Sequence, residues 1–264
     1  VEQHGWQLED LNNHDYGHLL RFANYGYLQA GIASEAAKIR QRVLQDFVAS
    51  GGAAEIAAPL ADIWARWVID LEQWQQTDTL AELAREHALR QPNIWTAIGL
   101  GAVRNGNLAL AQEALTVLSD LADGSASEGD IAALQVEGLI RIAEGSTQQG
   151  LSLLSDAIKI NTEMNRRNPV TLIGIPPRPI KPSRELYGEA LLETGNATLA
   201  LQEFQTGLIT YQGRTNMLLG AARAALATDN LTTARRYLRR LSETWAGAEQ
   251  NHPFKNEVMQ ILSQ

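Results

Sequence analysis

His14 and His18 stand four residues apart in the stretch His14-Asp15-Tyr16-Gly17-His18. Two imidazoles at that spacing share one helix face and can hold a zinc ion, with Asp15 placed where a zincin carries its general base. Against a metal centre stand Gly17 inside the motif, its place at a helix boundary, and the lack of an identifiable third ligand. The reading adopted is Asn13 or Asp15 as a helix N-cap, with His18 facing solvent or a groove and no structural metal. Glu185 and Glu189 are one helical turn apart, as an acid and a base can be. Carboxylates are abundant (Asp+Glu 30), and no sequence feature supplies the closed pocket that would tune them. Gly99-Leu100-Gly101 lies within a helical stretch, so it cannot cradle a phosphate; close helix packing is expected there. With Cys 0, a disulfide framework, a thiolate metal site and a cysteine nucleophile are excluded. The expectation is a protein that is not an enzyme and carries no cofactor.

The elements that position these residues are helices. Alanine, leucine, glutamate and glutamine dominate the long segments, and 45% of the 264 residues are hydrophobic, the share of an ordinary globular chain. The organising signal is repetition. In Asn93 to Leu118, Trp95, Ile98 and Ala102 recur at helical spacing, Gly106 stops the helix, and a second helix carries Ala111, Leu115 and Leu118 on one face. The same grammar appears at Tyr27, Gly31 and Ala36; at Leu134, Gly138, Gly145 and Ala157; at Gly188, Gly195, Ala200 and Phe204; and at Leu218, Ala222, Asp229 and Ala234. Residues 49–78 match least well. There Trp64, Trp67, Leu71 and Trp74 form a stripe, a turn is expected near Gln76, and Asp78 is expected to cap the next helix. Of the six tryptophans, Trp64, Trp67 and Trp95 sit at core spacing and are predicted buried, while Trp74 and Trp245 are left open.

Two breaks interrupt the repetition. Ala49 to Ala53 reads as a flexible joint, and Asn165 to Ser183 carries Pro169, Pro176, Pro177, Pro179 and Pro182, which forbid helix. The apolar Val170, Leu172, Ile173 and Ile175 predict that this stretch packs back on the helices. The resulting division is 1–164 as four helix pairs, 165–183 as a packed Pro-rich loop, and 184–264 as two further pairs with a C-terminal capping helix. The predicted fold is all-α, a right-handed solenoid of about six antiparallel pairs, since each hairpin leaves an apolar face that only a neighbour can cover.

These residues resemble tetratricopeptide repeats across nearly the whole chain, the turns scattering around a period of about 34 residues. A sharper likeness runs from Ile175 to Asn230. Its Pro-rich lead, the helix Glu185-Leu186-Tyr187-Gly188-Glu189-Ala190-Leu191-Leu192 and the helix Leu218-Leu219-Gly220-Ala221-Ala222-Arg223-Ala224-Ala225 resemble the C-terminal array of a group of bacterial tetratricopeptide proteins of poorly defined function. Those proteins usually have N-terminal repeats with His-containing helices, which are not seen here. The resemblance implies the fold and says little about activity.

In that geometry the first helix of each pair lines a concave face. The inward positions fall on His18, Arg21, Tyr25, Arg66, Asp70, Asn93, Arg104, Gln135, Glu185, Glu189, Asn216 and Arg223, a polar mixture of both signs suited to an extended peptide or another protein. Arg223 is expected beside Glu185 and Glu189. The Lys/Asn carboxylate clamp of chaperone-binding members is not reproduced. Net charge −8 disfavours nucleic acid, and the small basic clusters Arg166–Arg167 and Arg235–Arg236 with Arg239–Arg240 read as solvated helix faces. No segment reaches the roughly 18 apolar residues of a membrane span. The first residue, Val1, predicts a processed or excised chain, soluble and either cytoplasmic or exported with its signal segment removed. Two functions stay open: an interaction scaffold, or a small-ligand or metal-binding protein forming the non-catalytic part of a larger enzyme.

Overall fold

The computed structural model describes residues 13–167 and 176–262, with side chains from residue 17 onward. Among the described residues the chain is all-helical, with no strand. The helices are α1 (Asn13–Ala30), α2 (Ala33–Ala49), α3 (Ala54–Asp70), α4 (Thr77–Glu86), α5 (Pro92–Arg104), α6 (Leu108–Leu121), α7 (Glu128–Ala143), α8 (Thr147–Arg167), α9 (Ser183–Glu193), α10 (Ala197–Thr210), α11 (Thr215–Ala227), α12 (Leu231–Thr244) and α13 (Lys255–Leu262).

The turns share one hydrogen-bonding scheme. After α5, Gly106 N donates to Val103 O at 3.0 Å and Asn107 N to Ala102 O at 2.8 Å, with Gly106 at φ 74. That left-handed residue costs glycine nothing and satisfies two carbonyls that the helix end leaves open. Equivalent bonds close α1 at Gly31, α7 at Gly145, α9 at Gly195 and α11 at Asp229. Asn107 and Asn230 then cap the following helices, accepting from Leu110 N and Thr233 N. The second turn departs from the expectation. It lies at Glu72, φ 51, with Gln73 N bonded to Val68 O at 2.9 Å, and a 3-10 turn over Trp74–Gln76 leads into α4. The N-cap of α4 is Gln76 without a side-chain cap, so Asp78 sits in the first turn and caps nothing. Residues 50–53 form a bonded turn, Ser50 Oγ donating to Phe47 O and accepting from Ala53 N.

α1 packs on α2 and α3, α3 on α5, and α5 on α6 and α7; from α7 onward each helix packs on the next. α5 is therefore covered all round, and every residue from Asn93 to Ala102 is buried. Gly99 is the close-packing point anticipated: a Cβ there would lie 2.6 Å from Val136 and 3.3 Å from the Ala114 Cβ. Trp64, Trp95 and Trp245 are buried; Trp67 and Trp74 are partly covered. Arg40 lies 4.3 Å from the Trp64 ring centroid and 4.4 Å from that of Trp67.

The helices curl until the last meet the first. Trp245 Nε1 donates to Gln29 O at 3.0 Å, Glu249 N to Gly31 O at 3.1 Å, and Ser34 N to Glu249 Oε1 at 2.9 Å. Thr215 N reaches Gln29 Oε1 at 3.0 Å. Helix α8 continues to Arg167, so Asn165 and its neighbours are helical, contrary to the loop expected from Asn165. Pro169, Val170, Leu172, Ile173 and Ile175 lie outside the described residues. Residues 176–182 are non-helical, and Pro179, Ile180, Lys181 and Pro182 among them are buried.

Candidate functional site

The space between α3, α7 and the end of α10 is filled by the chain itself. Arg66 on α3 donates from Nη2 to Pro177 O at 2.6 Å, the Tyr211 hydroxyl at the end of α10 to Arg178 O at 2.9 Å, and Gln135 on α7 to Lys181 O at 2.8 Å. Three side chains thus hold three main-chain carbonyls of one non-helical, bent segment. Its own side chains answer with charge: Arg178 pairs with Glu128 at 2.8 Å and lies 3.8 Å from Asp62, which Arg66 approaches at 3.6 Å from the other side.

Beneath this segment runs a chain of buried ions. Arg214, at the N-cap of α11, bridges Asp70 (2.7 Å) and Glu185 (3.0 Å from Nη2, with a second contact from Nε). Lys181 then joins Glu185 at 2.9 Å to Glu189 at 2.6 Å. Burial by itself would raise the Glu185 carboxyl, but Arg214 and Lys181 outweigh it and hold the group below the usual range. Glu189 goes the other way: burial raises it, and the neighbouring Glu185 charge adds to that against the pull of Lys181 and Arg104. Burial would lower Arg214, yet Asp70 and Glu185 keep it well above its ordinary value. Groups so matched are fixed in charge, because removing either partner strands an ion in a low-dielectric interior.

One cleft remains open beside this network, with a volume of about 320 Å³. Glu72 and Trp74 line it from the α3–α4 turn, Arg104 from α5, and Glu189, Leu192 and Glu193 from α9; Phe204 of α10 and Asn216, Leu219, Gly220 and Arg223 of α11 complete it. Arg104 Nη1 contacts Glu193 at 2.5 Å, and its Nη2 lies 3.7 Å from Glu189.

The expected site residues divide accordingly. Arg104, Glu189 and Arg223 meet in the cleft. Glu185 is fully buried behind it, and Arg66 and Asn93 are buried around Asp62, Asn93 Nδ2 donating to Asp62 Oδ1 at 3.2 Å. Tyr25 lies under Arg66, 4.9 Å from ring centroid to guanidinium, and Arg21, part-buried, donates to Gly17 O. Arg223 does not pair with Glu185 or Glu189. It makes a two-pronged pair with Glu257 of α13, at 2.8 and 2.7 Å, and lies over Phe254. Lys181 and Arg214 take the place expected of it. Lys181 was findable, four residues before Glu185 and eight before Glu189; nothing local marks Arg214. Glu72 has no sequence signal, and Trp74, whose burial the sequence leaves open, joins it in the lining because the turn lies at Glu72 and not at Gln76.

The His14 side chain lies outside the described residues, and His18 packs edge-on to Phe22 at 5.0 Å. Among the described residues no group of three or more His, Asp or Glu is arranged to hold a metal ion. No described helix is long and apolar enough to cross a membrane. Arg235, Arg236, Arg239 and Arg240 are exposed on α12. No family model matches the chain, and no curated protein matches it.

Proposed function

We propose that this chain is a non-enzymatic interaction scaffold of tetratricopeptide type, six antiparallel helix pairs capped by α13, that takes an extended segment of a partner protein into the cleft between α5, α9 and α11. The observation that carries this reading is the grip on residues 177–181. Arg66, Tyr211 and Gln135 all bond main-chain carbonyls there, which is how a groove holds a peptide irrespective of its side chains. The cleft continues from the Lys181–Glu189 contact and offers both apolar and polar walls. Its volume lies near the lower end of ligand pockets, enough for one or two side chains of a longer segment. The ionic groups of the interior are linked in one chain of contacts, which suits a rigid frame better than proton transfer.

The test is selection of displayed random peptides on the purified chain and on a Trp74→Ala variant whose melting curve is recorded alongside. Peptides enriched by the wild type and lost in a still-folded Trp74→Ala support the scaffold. Failure to enrich any peptide, together with a metabolite retained in native mass spectrometry, would favour a small-ligand protein instead.

A further inference from the structure

We infer that the cleft receives a single cationic side chain, Arg or Lys, from the partner segment; this rests on the peptide-binding reading and adds to it the chemistry of the residue bound. The two guanidiniums in the lining are already matched. Arg223 is held on two nitrogens by Glu257, and Arg104 is held by Glu193 with Glu189 close by. The acceptors are not matched in the same way. The carboxylate of Glu72, a part-buried residue in the lining, has no hydrogen bond or ion pair among the described residues, although its charge reaches both Arg104 and Arg223. Glu189 spends Oε1 on Lys181, while Oε2 has only the 3.7 Å contact with Arg104, beyond hydrogen-bond length. Asn216, 8% exposed, uses Nδ2 on Asp70 O and leaves Oδ1 as an acceptor without a partner. An entering anion would meet Glu72, Glu189 and Glu193 with no uncommitted cation to receive it.

The remaining walls fit the rest of such a side chain. Leu192, backed by the buried Phe204 and Leu219, gives an apolar wall for the methylene stem, which long cationic side chains bury while their charge seeks a polar end. Trp74 stands on the same wall as Glu72, and an indole face attracts a guanidinium or ammonium. Carboxylates, an indole and an apolar wall are together the complement of a charged donor on an aliphatic stem, which is arginine or lysine.

The probe is an array of immobilised peptides of randomised flanks with Arg, Lys, citrulline, Leu or Glu at the centre, read with the full chain and with Glu72→Gln. Citrulline keeps the shape of arginine and removes its charge. The expected result is that Arg and Lys peptides bind about tenfold more tightly than citrulline peptides. That margin should shrink with added salt and largely vanish in Glu72→Gln, whose melting curve stays that of the wild type. Binding that does not distinguish Arg from citrulline, or a cation preference untouched in Glu72→Gln, overturns the inference and leaves the scaffold reading standing. An array on which no peptide binds overturns both.

Discussion

Arg214 carries more of the interior than any residue singled out by spacing. It is 1% exposed and neutralises Asp70 and Glu185 at once. Replacing it with methionine should destabilise the fold by about 3–5 kcal/mol, because two carboxylates would be left in the interior with only Lys181 to answer them. Arg214→Lys should recover part of this, since an ammonium restores the charge but not the fork that spans both carboxylates. Denaturant unfolding of the two variants checks the order. At this scale the sequence was half legible. That Glu185 and Glu189 share a face follows from helical geometry alone. Their partners do not, because Asp70 and Arg214 are brought together by the closing of the whole array. Arg223, expected beside these carboxylates, lies about two and a half turns beyond Arg214 along α11, where Glu257 of α13 takes it.

The helices themselves were far more legible than the ions between them. Glycine or Asp-Asn marks the turns at Gly31, Gly106, Gly145, Gly195 and Asp229, where a left-handed residue must stand. The turn at Glu72 escaped because a bulky acidic residue occupies that position, and no periodicity predicts a residue type against its backbone preference. The small residues inside helices also have a readable purpose. Cβ atoms at Gly188 and Gly220 would approach the Phe204 ring to 2.8 and 2.4 Å, so α9 and α11 close on it like two plates. Gly220→Ala gains up to about 1 kcal/mol in helix propensity but forces this contact apart, so the expected net effect is a loss of about 1–2 kcal/mol. Thermal melting should show that loss, and adding Phe204→Leu should reduce the further cost of the alanine, since the double variant relieves the clash.

The molecule as a whole is held shut by a seam between residues 29–34 and 245–252. His252 is buried there, its ring 4.3 Å from Trp245 and its Nδ1 accepting from Phe254 N at 3.4 Å. Burial, helped by Lys255, lowers its pKa from 6.5 to about 4. The unfolded chain therefore binds the proton first, so this group's contribution to stability is whole above pH 6.5 and drains away as pH falls toward about 4. Melting temperature should drop between about pH 7 and pH 5, and His252→Phe should flatten that part of the curve. No local pattern announces the seam, since its bonds join residues 215 and 216 positions apart in the chain. An open stack of repeats can nucleate anywhere and grow by nearest neighbours, fraying at its ends without harm to the middle. Helices fastened first to last by this seam do not have that freedom. The contacts of the seam have very high sequence separation, so they form late, and until they form the first and last helices lack part of what keeps them in place.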